Sequence, residues 1–431
     1  MAISFCILLL IIGLWVYLDY RKYIYHYFLL WICFGPVVVS FFYTLNDEYW
    51  QIQTWTVYLS YAIVLIDIVK HGGIKDKWAR QAVVLVLTFI LYYIILSLLR
   101  GAEILKAVRY IVGHFGFLVS LCIISQNPVN SNSLVKLIRA IVFTEILLAL
   151  VQPYFSFLNY QSTMQDEAMT TMVNGTFIRN NVFIEFLTPL VMLLVYYDYI
   201  HKKRGLWMDY LLVLLTLFLT YNSGVRTVFL AILPVIFVVI YRLLSLRFKT
   251  TRGKILATII ICLSSYTIYG MAQSLAEDRG ITYTKNAEDS SDRQAVLLSI
   301  LNDPEFAENQ TTLGFTIIVL STFPDNPIWG PGNMFKGNGY DFIKRESGDE
   351  TDATLAILLC EVGLVGMLLL AIIYYFIISK IGHNEQITRM IFFYLLIVTI
   401  ADPGLIYFGN MLVLFISMKI SFVEKKKVLA V

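Results

Sequence analysis

The stretch QAVVLVLTFILYYIILSLL, residues 81–99, runs for nineteen residues without a charged side chain and is bounded by Arg80 and Arg100. As a helix rising about 1.5 Å per residue it is roughly 28 Å long, close to the ~30 Å hydrocarbon core of a bilayer. It has no polar face to turn to water, so it reads as a membrane crossing. Similar runs lie near 2–18, 23–43, 55–69, 107–125, 138–157, 182–200, 206–222, 227–245, 255–273 and 353–378. A last apolar stretch, 390–418, is interrupted by Ala401-Asp402-Pro403-Gly404, where a proline after Asp disfavours helix. Composition agrees: of 431 residues, 58% are hydrophobic and only 15% charged, against about a quarter charged in a soluble domain. The expected fold class is all-α, a polytopic membrane protein of twelve or thirteen helices.

Orientation follows from the lysines and arginines of the short loops. If every run crosses, Arg21, Lys22, Lys70, Lys75, Lys77, Arg80, Lys136, Arg139, Lys202, Lys203, Arg204 and the basic residues of 242–254, 380–389 and 419–427 share one side. They are 22 of the 33 basic residues, and that side is the cytoplasm. The N-terminus is then outside, and thirteen crossings put the C-terminus inside, which favours two short crossings over one broken helix in the last stretch. The first run lacks a basic leader region and a small-residue cleavage site, so it reads as a retained helix. Expected organisation is ten helices over 1–273, an external loop with short helices over 274–350, and the final helices with a basic tail over 351–431. The external loop has thirteen acidic against six basic residues, so the net charge of +3 is a cancellation between two faces. No clustered basic face suits a nucleic-acid partner.

Cys6, Cys33, Cys122, Cys262 and Cys360 all sit in apolar runs without CxxC or Cys/His spacing. They read as small buried hydrophobes, with no disulfide framework and no zinc site expected. Soluble-enzyme signatures such as GxSxG, Walker A, HExxH and the Rossmann glycines are absent. Gly330, Gly332, Gly337 and Gly339 cluster without an amphipathic helix to follow, which fits turns better than a phosphate cradle. The polar loop contains helical stretches at 292–301 and 312–323, followed by the turn-dense segment Asn326-Pro327-Ile328-Trp329-Gly330-Pro331-Gly332.

The external basic residues are the informative minority. Arg100, Lys106 and Arg109 flank one external turn. Arg226, in a very tight turn between two apolar runs, reads either as a site cation or as a snorkelling side chain on lipid headgroups or a carboxylate. Arg179 precedes a helix whose first turns carry Glu185; the two form either an anion site at a helix N-terminus or a structural pair. Two such arginines suit a lipid-linked diphosphate whose charge must be neutralised as it departs. Asp352 opens a helix and is either a cap or a site carboxylate; Asp402 and Glu361 are either buried polar contacts or site residues. The histidines offer little: His26, His71, His201 and His383 fall near cytoplasmic ends, and His114 is mid-helix.

These stretches resemble the bacterial O-antigen ligase and polymerase superfamily, polytopic glycosyltransferases of GT-C-like architecture. The resemblance rests on the turn Leu219 to Thr227, on Asn174 to Asn181, on Asn326 to Gly332, and on Asp352 to Gly366, where Leu355, Glu361, Gly363 and Gly366 repeat the family's spacing. It covers roughly residues 135 to 420. It implies a multi-pass protein of the bacterial inner membrane whose active site faces the periplasm or exterior and uses no metal or other cofactor. Arginines hold the diphosphate of an undecaprenyl-linked oligosaccharide while an acceptor hydroxyl attacks the anomeric carbon. Carried over, Arg226 and Arg179 are the catalytic arginines, and Arg293 is the nearest substitute for a loop arginine the family usually places later. Glu185, Asn326, Gly330 and Gly332 line the substrate side. Partners implied are the lipid-linked oligosaccharide, membrane lipids, a chain-length regulator and a flippase.

Ligases of this family carry a histidine shortly before the late helix, where this chain has Thr351 and Asp352. That departure favours the polymerase branch, which extends O-antigen or capsule repeat units, and makes Asp352 the candidate base. The alternatives are ligase-type transfer of a finished glycan to lipid or protein, and a flippase or transporter of the same lipid. Transporters commonly show internal repeats and polar residues at the midplane, neither of which is visible here.

Overall fold

The computed structural model describes residues 2–40, 50–154, 175–177, 180–200, 206–222, 326–332, 354–379, 386–400 and 404–429. Among them all regular structure is helical. In chain order the helices are α1 (Ala2–Asp19), α2 (Ile24–Ser40), α3 (Trp50–His71), α4 (Lys77–Leu99), α5 (Ile104–Ile111), α6 (Phe117–Ile124), α7 (Ser131–Val151), α8 (Asn180–Ile200), α9 (Leu206–Asn222), α10 (Thr354–Ser379), α11 (Gln386–Val398) and α12 (Phe408–Leu429). A π-helical turn, Val112–Gly116, joins α5 to α6. Among the described residues three helices, Lys77–Leu99, Ile104–Ile124 and Thr354–Ser379, are long and apolar enough to cross a membrane. The expected helices near 227–245 and 255–273, and the short ones at 292–301 and 312–323, lie outside the described residues.

Several helices begin earlier than their apolar runs. Helix α4 starts at Lys77 because the Asp76 side chain accepts from Ala79 N–H at 2.8 Å, and α7 starts at Ser131 with Asn130 accepting from Ser133 N–H at 3.3 Å. These caps satisfy first-turn donors, so a polar turn stays helical where hydropathy alone stops. The last apolar stretch forms two helices, α11 and α12, with a turn at 404–406 before α12.

Helix α8 is buried on every face from Val182 to Val195, and α12 likewise from Tyr407 to Ser417. A helix apolar all round belongs inside the bundle. Helix α8 packs against α7, α9, α11 and α12; α4 packs against α5, α6 and α10; α6 touches α3, α4 and α12 and so links the two groups. The outer helices turn apolar side chains outward: Val84, Leu87, Leu91, Ile95 and Leu98 on α4, and Leu364, Leu368, Ile372 and Tyr375 on α10. Their spacing of three and four residues marks one stripe per helix, suited to hydrocarbon rather than water.

Polar contacts gather at the helix ends. Asp67 accepts from the Tyr17 hydroxyl and from Arg21 at 2.9 Å, with His71 Nδ1 3.3 Å away. Arg139 of α7 pairs with Asp198 of α8, whose side chain is 8% exposed against 35% for the arginine. That asymmetry predicts unequal costs. Arg139→Ala strands a buried carboxylate and should destabilise by about 3 kcal/mol or more. Asp198→Ala leaves an arginine that can reach water and should cost roughly 1 kcal/mol. Thermal melting of the two variants in detergent checks the ranking, and equal losses would contradict it.

Candidate functional site

Helix α10 is broken. At Gly363 the backbone leaves helical geometry, with φ 66° and ψ −176°. A break inside an apolar helix frees backbone N–H and C=O groups, each costing several kcal/mol if left unpaired in hydrocarbon. The segment 326–332 supplies the partners. Leu364 N–H donates to Pro327 O at 2.9 Å and Val365 N–H donates to Ile328 O at 3.0 Å. On the other side of the break, the Tyr92 hydroxyl of α4 lies 2.8 Å from both Val362 O and Trp329 O and shares its proton between them.

This joint requires glycine at both contact points. Gly330, Gly332 and Gly363 have φ of 71°, 63° and 66°, all left-handed. A Cβ on Gly363 would lie 2.6 Å from Gly330 N and from Ile328 O, and one on Gly330 would strike Glu361 O and lie 2.7 Å from Gly363 N. A Cβ on Gly332 would lie 2.6 Å from Ser97 Oγ of α4. Gly330 N–H closes the turn onto Asn326 O at 3.0 Å. The Asn326 side chain accepts from Arg100, the residue following α4, at 2.6 Å.

Beneath the joint lies Glu361, fully buried. Its carboxylate accepts from the hydroxyl of Tyr93, also fully buried, and from that of Tyr110 on α5 at 3.0 Å. The Tyr110 ring lies 4.2 Å from that of His114 in the π-helical turn. Such turns insert one extra residue into a helix and re-aim the side chains beside it. Tyr93 and Tyr110 therefore tie α4 and α5 to the first half of α10, while residues 326–332 tie α4 to the second.

A second clasp holds residues 175–177. Gly175 N–H donates to Gln152 Oε1 at 2.9 Å and Gln152 Nε2 donates back to Gly175 O at 2.7 Å. Glu145 of α7 accepts from Thr176 N–H at 2.8 Å and from the Thr176 hydroxyl. Glu145, Gln152 and Thr176 are all buried, and Phe177 packs on Phe183 and Phe186 of α8. The chain entering α8 is thus fixed by hydrogen bonds on one side and aromatic packing on the other.

Of the residues singled out in the sequence, Asn326, Gly330 and Gly332 meet in the joint. Glu185 belongs to a different contact, where Asn410 of α12 donates to it at 3.2 Å in a fully buried setting. Arg179, Arg226, Arg293, Asp352 and Asp402 lie outside the described residues. Sequence reasoning passed over Tyr92, Tyr93, Tyr110, Glu145 and Gln152, and read Arg100 only as flanking a turn. Glu145 carried a usable signal, a lone carboxylate in an apolar run; the tyrosines carried none, being ordinary in such helices. Among the described residues no three His, Cys, Asp or Glu side chains gather as a metal ion would require.

No family model matches the chain, and neither a curated protein nor a solved structure does.

The joint makes a graded prediction. Gly330→Ala and Gly363→Ala each combine a left-handed φ, worth about 1–3 kcal/mol, with a backbone collision and should lower the melting temperature most. Gly101→Ala has φ 83° but open space around its Cβ and should cost only the backbone strain. Gly113→Ala, with ordinary φ and open space, should be nearly neutral. A flat series in thermal melts would contradict the joint.

Proposed function

We propose that the chain is a polytopic, GT-C-like membrane glycosyltransferase that polymerises undecaprenyl-diphosphate-linked oligosaccharide repeat units for a surface polysaccharide such as O-antigen or capsule. The observation that carries the reading is the joint. Asn326 to Gly332 and Asp352 to Gly366 are two of the stretches that carry the family resemblance, and residues of both are in direct hydrogen-bond contact. A third, Asn174 to Asn181, contains the clasped residues 175–177.

The pairing of helix ends supports the sidedness. Ends assigned to the cytoplasm by their lysines and arginines meet one another, as in Arg21 with Asp67, Arg139 with Asp198 and Trp78 with Phe376. Ends assigned to the exterior do likewise, as in Arg100 with Asn326 and Gln152 with Gly175. The broken helix also weighs against transport. A transporter's half-helix aims free N–H groups at its substrate, whereas those of Leu364 and Val365 are taken by Pro327 and Ile328.

In the reaction, Arg226 and Arg179 neutralise the diphosphate as the anomeric C–O bond to phosphate breaks. The acceptor sugar hydroxyl forms the new glycosidic bond and gives its proton to the Asp352 carboxylate. The undecaprenyl diphosphate leaves as the free anion. Arg293 provides a further cation for the donor, and the joint supplies a rigid floor.

Purified protein given undecaprenyl-diphosphate oligosaccharide should produce a ladder of longer products in detergent, where no sidedness exists. Absence of any transfer there would favour transport. Arg226→Ala should slow the ladder by about 100-fold or more, and an unchanged ladder would remove Arg226 from the site.

A further inference from the structure

The joint consumes the backbone of residues 326–332 but leaves two of their large apolar side chains facing outward. Ile328 and Trp329 are 53% and 55% exposed, although both their carbonyls are held. Beside them is a surface of aliphatic side chains: Leu91, Ile95 and Leu98 of α4 and Leu364 and Leu368 of α10, each 42% to 62% exposed. Both helices are long and apolar enough to cross a membrane. Hydrocarbon is therefore the solvent that this surface fits.

At the outer end of the same surface stands Arg100. One of its terminal nitrogens donates to Asn326, and among the described residues no carboxylate pairs with it. A guanidinium has five N–H donors, so the bond to Asn326 orients the group and leaves donors for a further acceptor. Arg100, the exposed Trp329 indole and the aliphatic stripe share this surface. A cation next to exposed apolar side chains complements a lipid with a phosphate and acyl chains, and the positive charge favours an anionic headgroup.

We infer that Arg100 with Asn326, together with Ile328 and Trp329, forms a binding site for the phosphate and upper acyl chain of an anionic bilayer phospholipid. The site does not depend on the glycosyltransferase reading. It places residues 326–332 in the interfacial layer of the bilayer, clamping α4 to α10 from the lipid side. A segment that the sequence presents as the end of a polar loop is, in this view, seated in lipid.

Two measurements on the full chain in bilayer discs test it. In the first, the emission of Trp329 is isolated as the difference between wild type and Trp329→Phe. Phosphatidylcholine brominated near the ester carbonyl should quench that component more than lipid brominated at mid-chain, and aqueous iodide should not. Quenching by iodide without quenching by bromolipid would overturn the site. In the second, retention of phosphatidylglycerol after detergent extraction is read by native mass spectrometry. Wild type and Arg100→Lys should retain it, and Arg100→Gln, which keeps a donor for Asn326 without the charge, should lose it by at least about ten-fold. Equal retention by Arg100→Gln would overturn the phosphate contact. Stoichiometric displacement of phosphatidylglycerol by a polyisoprenyl diphosphate would overturn the phospholipid assignment and give the site to a substrate.

Discussion

Backbone amides with no partner cannot be left in hydrocarbon, and the arrangement around α10 follows from that constraint. Breaking the helix at Gly363 exposes N–H groups on one side and a carbonyl on the other. Water cannot satisfy them inside an apolar bundle, so another piece of chain must. Residues 326–332 do so, and a tyrosine hydroxyl from α4 completes the set. Once those bonds are made, α4, α10 and the intervening segment are one rigid unit. The left-handed glycines are what allow the two backbones to come close enough for the bonds to form.

The same logic recurs at residues 175–177. There too a glycine with positive φ, Gly175, brings backbone against a helix, and the side chains of Glu145 in α7 and of Gln152 just past its end take the exposed amides. The two sites differ in their partners. The joint pairs backbone with backbone across a helix break, whereas the clasp pairs backbone with buried side chains. Both convert a connecting stretch into a fixed platform beside a helix, which is what a site on rigid elements needs.

Much of the fold was legible in the sequence because apolar length is a one-dimensional property. The runs at 81–99, 182–200 and 206–222 appear as α4, α8 and α9 with close to the expected bounds. Starts were less legible: Asp76 and Asn130 cap polar turns that hydropathy discards. The break in α10 was not legible at all. Gly363 and Gly366 lie three residues apart in one apolar run, yet only the first breaks the helix; the second stays helical and admits the Tyr92 ring. Nothing local separates a glycine that breaks a helix from one that lets a neighbour approach. Of the candidate site, Asn326, Gly330 and Gly332 were found through their turn-rich spacing, whereas Arg100, Tyr92, Tyr93 and Tyr110 were not, because their roles depend on which helices become neighbours.

The sequence by itself determined that the chain is apolar and helical and, among the described residues, where its main helices lie. Those are consequences of solvation, and each residue contributes to them without reference to distant ones. The tertiary structure alone decided that Asn326 to Gly332 closes the break at Gly363, that Arg100 holds Asn326, and that Glu361 is buried under two tyrosine hydroxyls. Those depend on partners far apart in the chain. Hydrogen bonds act over about 3 Å, so only the packing of α4 against α5 and α10 could bring them together.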